Sequence, residues 1–63
     1  MKLADIRVGS WVAYRRSDGT REVYRVRGFT TIPHGDRHIT VVEVEGETRR
    51  FYPRDLRPAT VTP

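Results

Sequence analysis

Apolar and polar residues alternate along short runs of this chain, and glycines and prolines separate the runs. Val12 and Tyr14 fall on one face of such a run, and Val42 and Val44 do so farther along. A period of two residues is that of a half-buried β-strand, whereas an amphipathic helix repeats every 3.6 residues. The sequence therefore predicts an all-β fold.

The turn residues divide the chain into five strands. We predict strands over residues 8–15, 20–29, 38–45, 47–52 and 57–61, a loop over residues 30–37, and a single helical turn over residues 53–56. Gly28 is expected to introduce a bend or bulge before Phe29. Short strands that curl around one small core hide their edges by closing on themselves. We therefore expect a five-stranded, partly open barrel with one short helical turn before the last strand.

Three stretches resemble SH3-like barrels, and within them modules of the Tudor and KOW type. They are VGSWVAY at residues 8–14, the Asp18-Gly19 turn leading to VYRV at residues 23–26, and VEVEGE at residues 42–47 running into DLRP at residues 55–58. The resemblance implies an SH3-like barrel, and its Tudor branch implies an aromatic cage for a methylated lysine or arginine. The aromatic residues available for a cage are Trp11, Tyr14, Phe29 and Tyr52.

The sequence does not favour such a cage, because it lacks an acidic residue flanked by aromatic residues. A small barrel also needs large side chains for its core. Core packing is therefore the simpler role for Tyr14, Tyr24, Phe29 and Phe51.

The 63 residues form a single predicted domain that must be held by its core alone, because the chain has no cysteine. Leu56 is expected to plug the barrel. The predicted core consists of Val8, Val12, Tyr14, Val26, Ile39 or Val42, Val44, Phe51 and Leu56. No run of 18 apolar residues and no apolar leader are present, so we expect a cytoplasmic protein without a membrane partner.

Residue types that carry catalysis are sparse. The only serines, Ser10 and Ser17, fall in a predicted strand and turn, and the carboxylates are scattered rather than paired. His34, Asp36 and His38 offer three metal ligands, but a zinc site with so few protein ligands is rare without a further Cys or His. The sequence predicts neither an enzyme nor a site for a metal, a cofactor or a small-molecule substrate.

Charge is segregated along the chain, which has a net charge of +4 and a single lysine among its 12 basic residues. Arginine offers a planar donor fork that suits phosphate and aromatic faces. The favoured functional interpretation is nucleic-acid binding, in which arginines contact phosphates while an exposed tryptophan stacks on a base. The candidate site residues are Arg15, Arg16, Arg25, Arg27 and Trp11.

Two other interpretations remain open. The same arginines are equally compatible with a solvated sheet face on which Glu22, Glu43 and Glu45 are their cross-strand partners. The chain also fits a protein-interaction module, such as an accessory or regulatory protein or a virus-encoded inhibitor, that docks through a strand edge or the face of Trp11. The oligomeric state is left open.

The first hairpin decides whether the arginines form one face. The Asp18-Gly19 pair predicts a tight turn in which Gly19 has a positive φ. If that turn has two residues, Arg25 opposes Val12 on the core side of the sheet. Three arrangements avoid this conflict: a bulge near Gly19, a longer loop, or a core face made of Trp11, Ala13, Tyr24 and Val26. We favour the bulge, which places Arg15, Arg25 and Arg27 on one positive face with Trp11 at or near it.

Overall fold

The computed structural model describes residues 1–61, which form an all-β fold of five antiparallel strands. The strands are β1 Trp11–Arg15, β2 Arg21–His34, β3 Arg37–Val44, β4 Arg50–Phe51 and β5 Leu56–Pro58, in the sheet order β4-β3-β2-β1-β5. Single 3-10 turns lie at Leu3–Asp5 and Pro53–Asp55. The edge strands β4 and β5 are not paired with each other, so the barrel is partly open. The predicted fold class, including the helical turn before the last strand, is confirmed.

β2 is the longest strand and belongs to both halves of the sheet. Its first part pairs with β1 up to Arg25, and its second part pairs with β3 from Val26 to His34. The register shifts between Val26 and Gly28, so Arg27 lies in a β-bulge and the predicted irregularity at Gly28 is confirmed. A bulge bends the strand and increases its twist, which allows one strand to serve two curved ladders.

The prediction of a loop over residues 30–37 is wrong. β2 and β3 stay paired as far as His34 opposite Arg37, and only Gly35 and Asp36 form the turn. Gly35 has a φ of 64° and Asp36 has a negative φ, a combination typical of a type II′ hairpin turn. Pro33 fits in β2 because β1 pairs only as far as Arg25, so a missing N–H breaks no ladder there. We call this ribbon, residues 28–41, the hairpin arm.

Three other predicted strands are too long. The strand predicted at 8–15 begins only at Trp11, the one predicted at 47–52 is reduced to Arg50–Phe51, and the last one ends at Pro58. Before β1, the Ser10 N–H donates to the carbonyl oxygen of Arg7 at 3.0 Å across a turn. Val8 lies in this turn with 63% of its surface exposed. The prediction that Val8 belongs to the core is therefore wrong.

The core lies between the two halves of the sheet. It consists of Ile6, Val12, Val26, Val42, Val44, Phe51 and Leu56, with Met1, Tyr14 and Tyr24 packed against it. The other predicted core residues are confirmed, and Val42 rather than Ile39 is the one that is buried here. Ile6 was not predicted, and Phe29 is exposed at the base of the hairpin arm instead of filling the core. Val41 is also buried, although it lies on the face of β3 opposite to Val42.

We expect Leu56→Ala to lower the free energy of unfolding by about 2–5 kcal/mol, because Leu56 is completely buried and its loss leaves a cavity. Urea denaturation followed by far-UV circular dichroism measures the change. Leu3→Ala is the matched control, since Leu3 is 39% exposed. Equal losses in the two variants would contradict the central position of Leu56.

The first hairpin turn has three residues, Ser17, Asp18 and Gly19. The N–H of Arg16 donates to the carbonyl oxygen of Thr20 at 2.8 Å, and the N–H of Gly19 donates to that of Arg16 at 2.9 Å. Gly19 has a φ of 91°, as predicted. A turn followed by a left-handed glycine is the usual three-residue hairpin with a bulge at its end. The structure thus combines the favoured bulge with the longer loop.

Gly19→Ala is expected to cost about 1–2 kcal/mol, because an L-residue in the left-handed region is strained even where there is room for its side chain. A Cβ atom at Gly19 would meet no other atom within 4 Å, so the cost isolates the backbone conformation. Gly28→Ala is the control, because Gly28 has an equally open surrounding and no positive φ. Chemical denaturation of both variants gives the comparison, and an undisturbed Gly19→Ala protein would rule out the turn described here.

Candidate nucleic-acid interface

The side of the β1–β2 ladder that faces away from the core carries most of the candidate residues. Trp11 pairs with Arg25, Ala13 with Val23, and Arg15 with Arg21. Residues that pair across two strands project to the same side, and the alternating Val12 lies in the core. β5 adds Arg57, which pairs with Ala13. We call this surface the outer face; its members are Trp11, Ala13, Arg15, Arg21, Val23, Arg25 and Arg57.

Strand pairing brings Arg15, Arg25 and Trp11 to this one face, as the favoured bulge predicts, and Trp11 is 39% exposed. Arg27 lies beside this face in the β-bulge. Arg16 does not belong to it, because Arg16 follows the end of β1 and forms an ion pair with Glu22 on the core-facing side of the ladder. Arg16 is therefore not brought together with the other four candidate residues, and their role in binding stays a prediction.

At one end of the outer face the arginines are matched by carboxylates. Arg25 lies 3.6 Å from Glu45, and Arg27 lies 3.7 Å from Glu43. Arg50 approaches the same Glu43 carboxylate at 3.2 Å. Exposed pairs of this kind contribute little to stability, but they neutralise the charge that they contain. This end is the solvated, cross-strand-paired face that the sequence left open as an alternative.

A second group of ion pairs lies at the core-facing side, around Glu22. Arg49 approaches Glu22 at 3.0 Å and Glu47 at 2.8 Å, and the Tyr24 hydroxyl donates to Glu22. The Arg49 guanidinium also lies 5.4 Å from the ring centre of Phe51. Hydrogen bonds from Arg49 lower the pKa of the Glu47 carboxyl. Arg49 is therefore occupied by contacts with Glu22, Glu47 and the ring of Phe51.

The other end of the outer face has no such compensation. Arg15 and Arg21 stand directly opposite each other, and Arg57 belongs to the strand on the other side of β1. Within residues 1–61 none of these three forms an ion pair. Like charges directly opposite each other destabilise a ladder. This end of the outer face therefore carries positive charge that no carboxylate of residues 1–61 neutralises through an ion pair.

A groove of about 550 Å³ adjoins this end, between the first hairpin turn and the 3-10 turn before β5. We call it the arginine groove; it is lined by Tyr14, Arg15, Ser17, Arg54, Asp55 and Arg57. Arg57 donates through Nη1 to the carbonyl oxygen of Leu56 at 3.2 Å, which holds its guanidinium in place. Three arginines and a single acidic residue, Asp55, thus line this groove.

Sequence reasoning missed Arg21, Arg54 and Arg57. Residues 48–57 contain four arginines and one aspartate, but this count does not indicate which strand β5 joins. Pairing of β5 with β1 brings Arg57 next to Ala13 and places the 3-10 turn beside Arg15. No local signal in the sequence specifies this long-range pairing.

A smaller groove of about 350 Å³ lies between the hairpin arm and the 3-10 turn, with Ile39, Tyr52 and Pro53 in its lining. His34 lies here on β2, while His38 follows on β3. In the described part of the chain, His, Asp and Glu side chains form no group of three that could hold a metal ion. Helices long and apolar enough to cross a membrane do not occur among residues 1–61.

Comparison with protein-family models, with curated proteins and with solved structures finds no match for this chain. The resemblance to Tudor and KOW modules therefore stays a prediction.

Acid should weaken the ion pairs around Glu43 and thereby lower the stability of the protein. Hydrogen bonds from Thr30 and Arg50 hold the pKa of the Glu43 carboxyl below its usual value. Because glutamate in the unfolded chain has an ordinary pKa of about 4.3, the stabilisation is complete above that pH and is lost as the pH falls through the lower folded-state pKa.

The melting temperature should therefore fall as the pH is lowered from about 5 to about 3, the range in which carboxylates gain protons. Glu43→Gln should melt below the parent protein at neutral pH, and the two should converge in acid. Thermal denaturation at a series of pH values tests this, and a gap that persists at low pH would contradict it.

Proposed function

We propose that this protein is a small, non-enzymatic binding module that binds single-stranded nucleic acid in the cytoplasm through its outer face. The observation that carries the proposal is the opposed pair Arg15 and Arg21, joined by Arg57, without carboxylate partners among residues 1–61 and on the same face as the exposed Trp11. Fixed positive charge beside an exposed aromatic side chain is the usual combination in proteins that bind single strands.

The dimensions of the outer face suit an extended strand. Trp11 and Arg15 are four residues apart on β1, which corresponds to about 14 Å. Between them lie the buried Ala13 and the half-buried Val23, so the middle of the face is apolar. A base can stack on Trp11 while the following phosphates reach Arg15, Arg21 and Arg57.

A duplex is a poorer fit to the same surface. The major groove of a duplex admits an α-helix or a two-stranded β-ribbon. Residues 1–61 contain only 3-10 turns as helical elements, and the hairpin arm has one arginine, Arg37, set against Asp36. The element that fits the groove therefore lacks the net positive charge that phosphate binding requires.

Binding of a single-stranded oligonucleotide should show the linear decrease of log affinity with log salt that phosphate neutralisation produces. Replacing Arg15, Arg21 and Arg57 together by Gln should abolish most of the binding and reduce the steepness of the salt dependence by about 2, at about 0.7 per lost phosphate contact. Fluorescence anisotropy between about 50 and 200 mM salt covers the range in which such contacts weaken.

The matched control replaces Arg27, Arg49 and Arg50 by Gln, which removes the same charge from ion-paired positions outside the outer face. We expect this control to keep most of its affinity but to melt at a lower temperature, because it leaves Glu43 and Glu47 without their arginine partners. The first variant should keep or raise its melting temperature, since it relieves the repulsion of Arg15 and Arg21. Equal loss of binding in both variants, or a parent protein that does not bind at low salt, would refute the proposal.

A protein-interaction module is the second candidate, and one observation favours it. Residues 37–41 of β3 pair with no strand on the side away from β2 within the described residues. The groove lined by Ile39, Tyr52 and Pro53 lies next to this part of β3. An extended peptide can add to such a free strand edge. Binding of this kind would depend little on salt and would survive the triple replacement on the outer face.

A further inference from the structure

We propose that the arginine groove binds the terminal phosphate of the single strand that lies on the outer face. This inference rests on the proposed function and adds to it the end of the ligand that is recognised. Its starting point is that the groove and the outer face share Arg15 and Arg57, so that one strand can occupy both.

The charge of the groove matches a phosphomonoester better than an internal phosphate. Arg15, Arg54 and Arg57 contribute three positive charges, and Asp55 contributes one negative charge. An internal phosphodiester carries a single negative charge. A terminal phosphomonoester has a charge of about −1.5 to −2 at pH 7 and three acceptor oxygens. The excess charge of the groove is therefore balanced by a terminal group.

Contacts within the protein orient arginine side chains of the groove before a ligand binds. Arg57 is fixed through Nη1 by the carbonyl oxygen of Leu56, so the rest of its donor fork is available to a ligand. The Arg54 guanidinium lies 5.3 Å from the ring centre of Tyr52, and Arg54 lines both this groove and the smaller one. Arginine forks bind phosphate oxygens in pairs, and a fork that is already oriented loses less freedom on binding.

The position of the groove also favours a chain end. It lies beyond Arg15, where β1 stops and the first hairpin turn begins, and Ser17 of that turn forms part of its wall. On the opposite side the 3-10 turn contributes Arg54 and Asp55. A strand that follows β1 from Trp11 therefore reaches a site walled by two turns, where its last phosphate can be surrounded.

The test compares one single-stranded oligonucleotide sequence in three forms, with a 5′-phosphate, with a 3′-phosphate and with hydroxyl groups at both ends. We expect at least one phosphorylated form to bind about tenfold or more tightly than the unphosphorylated one at pH 7.5, from the charge-assisted hydrogen bonds of the added group. The preference should shrink at pH 5.5, because the second pKa of a phosphomonoester is about 6.

Arg54→Gln separates the groove from the outer face, to which Arg54 does not belong. This variant should lose the preference for the phosphorylated form and keep its affinity for the unphosphorylated one. Arg37→Gln is the matched control, because Arg37 is an exposed arginine in the hairpin arm, and it should keep the preference. Both melting temperatures should equal that of the parent protein.

The possible failures are distinguishable. Equal affinity for all three forms would overturn the inference and leave the proposed function standing, whereas binding of none would overturn both. A preference that persists in Arg54→Gln would place the terminal phosphate outside the groove and contradict the assignment. A phosphoserine peptide that binds as tightly as the phosphorylated oligonucleotide would identify a phosphopeptide site and also overturn it.

Discussion

The backbone of Gly19 controls which side chains of the first hairpin share a face. With a positive φ at this residue the turn between β1 and β2 has three residues, and Trp11 stands opposite Arg25. A turn shorter by one residue would place Arg25 opposite Val12, on the side of the core, because neighbouring residues of a strand point to opposite faces. The buried core, the outer face and the arginine groove all depend on this single register.

The distribution of carboxylates then divides the arginines into two groups. Glu22, Glu43, Glu45 and Glu47 each contact one or more of the arginines at the core-facing side or at the bulged end of the outer face. Among those arginines, Arg49 also lies over the rings of Tyr14 and Phe51. Arg15, Arg21 and Arg57 form no ion pair among residues 1–61, and their mutual repulsion is a cost that the proposed anionic ligand would relieve.

Local patterns in the sequence predicted the features that depend on local physics. The alternation of Val42 and Val44, the left-handed glycine of the first turn and the buried Leu56 all follow from strand period, turn chemistry and size. The prediction of a loop over residues 30–37 failed because a proline disfavours a central strand, whereas β2 pairs on one side only at Pro33 and an edge strand tolerates proline. The groove was missed because its arginines meet only through the pairing of β5 with β1, which no local pattern specifies.

The most direct measurement of the central claim is an NMR titration that follows the Nε–Hε signals of the arginine side chains while a single-stranded oligonucleotide is added. The division of the arginines into paired and unpaired groups predicts that the signals of Arg15, Arg21 and Arg57 move first and furthest. Those of Arg27 and Arg50 should stay in place, because both arginines lie beside Glu43. Uniform shifts of all arginines, or shifts confined to the ion-paired end, would contradict this account.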